Sequence, residues 1–287
     1  MKILVTGVLG FTGRHFHDIA AAAGHEVIGL KSNLANKGAL DHEIQLVAPD
    51  VVVHLAAISF VGHENAKAFY EVNVVGTTNL LTALMHLQKP PTSVLIASSA
   101  NVYGNSLISP ISESQPLAPV NHYAASKMAM EHMARTYTDK LPLFFTRPFN
   151  YTGPGQTDSF IIPKLVSHFA RRAALVELGN IDVEREFNDV RYVCQCYLQL
   201  LGKLSGGEAI NVCSGQPVTL KSVIEILAAL TDHKIETRIN PAFVRDNEIH
   251  RLCGSPANLE GIIGKMPVPP LAETLRWMLE QRSAAMP

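Results

Sequence analysis

The sequence predicts an α/β fold built on a doubly wound parallel sheet with helices on both faces, and a smaller C-terminal domain interleaved with it. Three observations carry this expectation. Short β-branched runs alternate with longer helical patterns through the first half of the 287 residues, as right-handed βαβ units require. One of these runs, Val51-Val52-Val53-His54-Leu55, is nearly all apolar, as a strand buried on both faces should be. A glycine-rich turn, Gly7 to Gly13, separates the first strand from the first helix.

The elements follow in order. Ile3-Leu4-Val5 reads as a strand, and Arg14 to Ala23 as a helix closed by Gly24. Glu26 to Leu30 is the second strand and Val51 to Leu55 the third; a helix over Ala66 to Leu87 then ends at Pro90-Pro91. Val94 to Ala97 is an apolar strand leading into Ser98-Ser99, His122 to Tyr137 a helix, and Leu143 to Thr146 a strand stopped by Arg147-Pro148. Beyond Asn150 the pattern loosens. Gly153-Pro154-Gly155 is a loop, and Phe160 to Ala173, Leu220 to Thr231 and Leu271 to Gln281 read as helices, with Ala209 to Val212 a late strand returning to the sheet. The larger unit is then residues 1–150 with about 186–213, and the smaller unit is 151–185 with 214–287.

Composition excludes several classes. Hydrophobic residues make up 47% and charged residues 17% of the chain, a globular balance. A net charge of -1 without any Lys/Arg-rich run gives nucleic acid or an anionic membrane nothing to bind. Cys194, Cys196, Cys213 and Cys253 lack zinc spacing and form no Cys-x-x-Cys, so they read as buried thiols in a reducing cytosol, with no metal site. The apolar run after Met1-Lys2 is three residues long without a cleavage pattern, and Val51 to Val61 is too short to span a bilayer. A cytoplasmic protein is expected.

Thr6-Gly7-Val8-Leu9-Gly10-Phe11-Thr12-Gly13 opens a βαβ unit with the spacing Gly-x-x-Gly-x-x-Gly. Such a loop turns sharply and lets backbone approach a pyrophosphate at a helix N-terminus. The second strand runs Val27-Ile28-Gly29-Leu30-Lys31-Ser32-Asn33 and lacks the carboxylate that NAD enzymes place there for the ribose hydroxyls. Lys31 beside the Ser32 hydroxyl suits a 2′-phosphate, which favours NADP(H) and leaves NAD(H) possible.

Tyr123-Ala124-Ala125-Ser126-Lys127 sets a phenol and an ammonium at i and i+4 on one helix face. A tyrosine with a pKa of about 10 is a poor base at neutral pH; a nearby lysine cation and the positive helix end are expected to lower it. Tyr-x-x-x-Lys alone is common on helix surfaces. It gains meaning from Ser99, placed just past an apolar strand, where α/β folds present their chemistry.

Taken together, Thr6-Gly7 to Gly13, His54-Leu55-Ala56-Ala57, Val72-Asn73-Val74-Val75-Gly76-Thr77, Ser98-Ser99, Tyr123 to Lys127 and Arg147-Pro148-Phe149-Asn150 resemble the extended short-chain dehydrogenase/reductase family of nucleotide-sugar epimerases, dehydratases and reductases. The likeness covers nearly the whole chain. It implies a Rossmann-like fold in which the larger unit binds a dinucleotide and the smaller a nucleotide-linked sugar. It also implies that Ser99, Tyr123 and Lys127 form the catalytic triad. Gly7, Gly10, Phe11, Thr12, Gly13, Lys31, Ser32, Asn33, Leu34, Leu55, Ala56, Ala57, Asn73, Tyr123, Lys127 and Pro148 would surround the cofactor. Ser59, Asn101, Asn150, Gln156, Arg185 and Arg245 would meet the sugar nucleotide, the two arginines pairing with its diphosphate. By analogy with this family, subunits pair through helices into a homodimer.

The 4,6-dehydratases of the family carry an acid and a glutamate directly after the catalytic hydroxyl, where this chain has Ala100 and Asn101; dehydration is therefore disfavoured. Arg147 to Phe160, Gly179 to Val190 and Asn211 to Gly215 look like the GDP-6-deoxy-D-mannose (GDP-D-rhamnose) reductases. NADPH-dependent reduction of a 4-keto nucleotide sugar is the leading expectation. A nucleotide-sugar epimerase with retained NAD, resembling the UDP-glucose 4-epimerases, and a catalytically silent NADP-binding regulator are its rivals.

Overall fold

β1 (Lys2–Thr6) leads into α1 (Phe11–Ala22), β2 (Glu26–Gly29), α2 (Lys37–Val47) and β3 (Val51–His54). α3 (Ala66–Tyr70), a π-helical turn (Glu71–Gly76) and α4 (Thr77–Met85) follow end to end. β4 (Ser93–Ala97), a 3-10 turn (Ala100–Tyr103), α5 (His122–Arg135) and β5 (Leu143–Pro148) complete the first half. Then come β6 (Tyr151–Thr152), α6 (Ile161–Ala170), β7 (Leu175–Leu178), β8 (Glu184–Arg185), β9 (Asn188–Asp189), α7 (Val190–Leu200) and β10 (Gly206–Val212). The chain ends with β11 (Val218–Thr219), α8 (Leu220–Thr231), β12 (Glu236–Ile239), β13 (Arg251–Leu252), α9 (Ala257–Ile263) and α10 (Leu271–Ala284). This computed structural model describes residues 1–60, 65–243 and 249–284.

Six parallel strands form the main sheet in the order β10-β5-β4-β3-β1-β2. From β1 the chain first moves outward to β2, then returns past β1 to lay down β3, β4, β5 and β10. The crevice outside the carboxyl ends of β1 and β3 is therefore where such a sheet receives a ligand. Alternation along the strands feeds two cores. Ile3, Val5, Val53, Leu95 and Phe144 pack with Phe16 of α1 and Val193 and Tyr197 of α7 on one face. Leu4, Val52, Ile96 and Phe145 pack with Leu40, Leu80 and Met130 of α2, α4 and α5 on the other. A third core, Leu165, Phe169, Leu178, Val223, Leu227 and Leu275, joins α6, α8 and α10 over β7.

Every strand expected up to Pro148 is present. The helix expected over Ala66 to Leu87 differs: its middle widens into the π-helical turn that contains Asn73. Such insertions gather at functional positions because they re-aim one side chain within a helix. α2, α7 and α9 were not foreseen. Among the described residues no helix is long and apolar enough to cross a membrane, and no cluster of three or more His, Cys, Asp or Glu could hold a metal ion.

Candidate active site

The glycine turn is built so tightly that side chains are excluded from it. Gly7 sits at φ 70°, in the left-handed region, and a Cβ there would lie 2.9 Å from Ala56 Cα. At Gly13 a Cβ would lie 2.2 Å from the Gly7 carbonyl oxygen. Gly10 is the N-cap of α1 and supplies no side-chain cap, so the first-turn amides remain donors for an anion. These features fit the pyrophosphate of a dinucleotide. The loop after β3 closes against them: the Ala56 amide donates to Thr6 Oγ1 at 3.0 Å, and the Leu55 amide to the Thr6 carbonyl at 3.3 Å.

His54 ties the same strands to the π-helical turn. Its Nδ1 lies 2.7 Å from Thr6 Oγ1 and its Nε2 2.8 Å from Thr77 Oγ1. Because the Thr77 hydroxyl donates to the Asn73 carbonyl at 2.7 Å, it accepts from His54 Nε2–H, and Nδ1 accepts from Thr6. Burial, with Lys127 nearby, pushes His54 down to about 3. The ring is therefore a neutral structural bridge.

α5 starts with Asn121, whose side chain accepts from the Ala124 amide at 2.9 Å. That cap fixes the turn carrying Tyr123, which is buried beside Ser99. Ser99 Oγ accepts from the Asn101 amide and side chain, both at 3.2 Å. One turn beyond Tyr123, Lys127 Nζ donates to the Ala97 carbonyl at 2.7 Å. Asn73 locks this helix from behind, donating to Ser126 Oγ at 3.0 Å and exchanging bonds with the Ile58 backbone. Ser99, Asn101, Tyr123, Lys127 and Asn73 thus converge at the carboxyl edge of β4. Pro148 closes β5, buried one strand over.

The expected lowering of the Tyr123 pKa is not found. Burial raises it, and the Ser99 hydrogen bond only partly offsets that. Lys127 is itself pulled down to about 8 by burial, against the opposing pull of Glu131. Glu131 lies a further turn along, where Arg147 grips it bidentately at 2.9 and 2.6 Å. Arg147 also donates to the Tyr103 hydroxyl, which donates to Asn211 Oδ1.

At the far end of the crevice, Lys31 and Asn33 are exposed, Ser32 is half-buried and Leu34 is buried beneath α4. Asn33 Oδ1 accepts from the Ala35 amide at 2.9 Å. The sequence places no carboxylate at the carboxyl end of β2, but the fold brings one from α2. Glu43 accepts from the Lys31 amide at 2.9 Å and the Ser32 amide at 2.7 Å. The signal for it was an Asn36 cap followed by Leu40 and Ile44 at i, i+4, an amphipathic helix overlooked for its brevity.

The remaining expected residues are spread over both units. Ser59 is exposed after β3, and Asn150 is exposed after β5, its carbonyl accepting from the Asn188 amide at 2.9 Å. Gln156 folds onto its own loop, accepting from Thr152 Oγ1 at 2.8 Å and donating to the Tyr151 carbonyl at 3.4 Å. Arg185 donates to the carbonyls of Glu184 at 2.9 Å, His250 at 3.1 Å, and Ile249. Arg245 lies outside the described residues. Phe11 and Thr12 meet the smaller unit directly: Phe11 stacks on Tyr151 at 5.9 Å, and Thr12 Oγ1 lies 2.7 Å from the Tyr151 hydroxyl. Glu186 was missed by sequence reasoning. It is fully buried and draws in the amides of Gly254 at 2.6 Å, Ser214 at 2.7 Å and Gly215 at 3.3 Å.

Fold and site together define a doubly wound, dinucleotide-dependent α/β enzyme. Residues 3–213 match the NAD dependent epimerase/dehydratase family, and the chain belongs to it. Members are NAD(P)-dependent oxidoreductases and epimerases of nucleotide sugars. The chain is 36% identical over 269 residues to GDP-6-deoxy-D-talose 4-dehydrogenase of Aggregatibacter actinomycetemcomitans, covering 92% of each chain. It is 35% identical over 294 residues to GDP-6-deoxy-D-mannose reductase of Pseudomonas aeruginosa, covering 97% of this chain and 96% of the relative. The solved structure of RMD from Pseudomonas aeruginosa, complexed with NADPH, superimposes with a TM-score of 0.91 at 33% identity, over 99% of this chain and 98% of the other.

Proposed function

We propose that the protein reduces the 4-keto group of GDP-4-keto-6-deoxy-D-mannose with NADPH, giving GDP-D-rhamnose. The observation that carries this is the buried contact of Tyr123 with Ser99, one helical turn from Lys127, at the edge of the crevice headed by the glycine turn. The names of the two relatives support the substrate. 6-Deoxy-D-talose and 6-deoxy-D-mannose differ only in configuration at C4, so their 4-keto forms are one compound. Under this reading residues 1–150 with 186–213 hold the dinucleotide, and 151–185 with 214–287 the sugar nucleotide. The chain works as a cytoplasmic homodimer, by analogy with its family and in keeping with its four buried free cysteines.

The dihydronicotinamide, when bound, supplies the hydride. Everything else falls to side chains and backbone amides of this chain. Ser99 hydrogen-bonds the carbonyl oxygen of the sugar and polarises it. Tyr123, held as a phenol by its burial, delivers a proton to that oxygen as negative charge develops there. Lys127, fixed on the Ala97 carbonyl, places positive charge beside the phenol so that the phenolate left behind is tolerated. The first-turn amides of α1 and the glycine turn cradle the pyrophosphate. Asn101 holds the Ser99 oxygen in position rather than titrating.

The test is incubation with NADPH and GDP-, UDP- and dTDP-linked 4-keto sugars, with products identified by NMR. Stoichiometric NADPH consumption and a product with trans-diaxial H3–H4 coupling support the proposal. A small H3–H4 coupling identifies GDP-6-deoxy-D-talose, a second reading favoured by the equal likeness to the talose dehydrogenase. Tightly retained NAD with no net NADPH consumption shows an epimerase. Tyr123→Phe is expected to lower kcat by at least ~100-fold with little change in NADPH affinity; near-normal turnover would discard the mechanism.

A further inference from the structure

We propose that Glu43 sets the cofactor preference of this enzyme by weakening its hold on the 2′-phosphate of NADP(H), so that NAD(H) stays within reach. The inference rests on the dinucleotide reading of the crevice. Past the carboxyl end of β2 the chain turns through Leu30-Lys31-Ser32-Asn33, where a doubly wound sheet lays the adenosine ribose. Two consecutive backbone amides there aim at a single acceptor. Both are occupied by one carboxylate: Glu43 takes the Lys31 amide at 2.9 Å and the Ser32 amide at 2.7 Å. The Ser32 hydroxyl lies near enough to favour the ionised form of the same carboxylate.

The donors that a phosphate would recruit at this edge are therefore already bonded to an anion. Burial opposes ionisation of Glu43, but the Ser32 hydroxyl, both amides and Lys31 together hold its carboxyl below the usual range. Glu43 is half-buried on α2, with the exposed Lys31 ammonium left over. A 2′-phosphate must displace Glu43 from its amides or accept a like charge beside it, helped only by that ammonium. A ribose 2′-hydroxyl meets the opposite situation. An ionised carboxylate offers roughly four acceptor sites; the two amides fill two of them here, and a hydroxyl donor suits one that remains. Lys31 and Glu43 thus pull in opposite directions, and their balance sets the ratio of the two affinities. Glu43 is a positioning residue, acting on the loop that meets the ribose.

The experiment is calorimetric titration of the purified protein and its variants with NADP+ and NAD+, and with 2′,5′-ADP and 5′-ADP as fragments that differ at the 2′ position alone. No sugar substrate is involved, so the outcome does not depend on which sugar is reduced. Glu43→Gln and Glu43→Ala are both expected to raise the affinity ratio of NADP+ over NAD+, on the order of tenfold for loss of one like charge at a partly exposed site. The 2′,5′-ADP to 5′-ADP ratio should move equally. Lys31→Ala should move both ratios the other way. Unchanged ratios in both Glu43 variants, with dinucleotides still binding, would overturn the proposal and leave the dinucleotide site standing. Failure of the unmutated protein to bind either dinucleotide would overturn the site and the proposal together.

Discussion

Two carboxylates, Glu131 on α5 and Glu186 just after β8, are both fully buried, yet they are stabilised in different ways. Glu131 is held by cations: Arg147 bidentately and Arg135 at 3.3 Å. Burial opposes its ionisation, but these partners keep its pKa below the usual range, and that of Arg147 is raised in turn. Glu186 is held by neutral dipoles: three backbone amides, the Ser214 hydroxyl at 3.1 Å and the Asn188 amide group at 3.1 Å. The ion pair joins two regular elements, α5 and β5, that the cores already fix. The amide nest gathers three segments, around 186–188, 213–215 and 254, that lie at the ends of short strands. A cation stabilises a carboxylate from one direction at long range. Backbone amides do so only if the loops adopt one conformation, so the second arrangement also specifies the shape of the loops it joins.

That difference predicts unequal mutational costs. Arg147→Ala should be the most damaging change, because it leaves Glu131 charged and buried; breaking a buried pair from one side costs about 3–5 kcal/mol. Urea unfolding would measure it, and the Glu131→Met, Arg147→Met double variant should recover much of the loss. If the double variant were no better than Arg147→Ala, the ion pair would not be the source of the cost. Glu186→Gln should cost less, about 1–3 kcal/mol, since one oxygen remains an acceptor while the new amide faces a donor. Its effect should be local: faster hydrogen exchange at Ser214, Gly215 and Gly254, with the exchange of β4 and β5 unchanged. A global rise in exchange would erase the distinction between the two carboxylates.

The same contrast explains what the sequence could disclose. The sheet was legible because Ile3 to Val5, Val51 to Val53 and Val94 to Ile96 are apolar runs whose pattern follows from burial on both faces. The glycine turn and the grouping of Ser99, Tyr123 and Lys127 were legible because they follow from local spacing: a strand end, and one helical turn. Glu43 and Glu186 were not, because each acts on residues that are neighbours only in the folded chain, Lys31 and Ser32 for one, Ser214 and Gly254 for the other. α7 was overlooked because Val193, Cys194, Cys196, Tyr197 and Leu200 mix thiols and phenols into an apolar face, and its Asp189 cap, accepting from the Arg191 amide at 2.7 Å, reads as loop. The helical reading of residues 66–87 was right in extent and wrong at Asn73, since helical periodicity does not reveal one inserted residue.

The smallest expected effect separates the two carboxylates by chemistry rather than stability. Burial brings Lys127 down to about 8, and the negative charge of Glu131 opposes that fall. Loss of the Lys127 proton removes the positive charge beside Tyr123, so reductive kcat/KM should fall as pH rises through about 8. Glu131→Gln removes a negative charge near an ammonium, which makes the charged form less favourable; the alkaline limb should move to lower pH. Glu186→Gln is expected to leave that limb where it is, even if it lowers turnover by loosening the loops around it, because its carboxylate is bound into those loops and not onto α5. A pH–rate profile for the three proteins decides the matter. Equal shifts in both variants would mean that the limb reports general loosening and not the field at Lys127. A shift in Glu131→Gln alone would show that the ion pair beneath α5, besides holding the helix, sets the range in which its lysine stays charged.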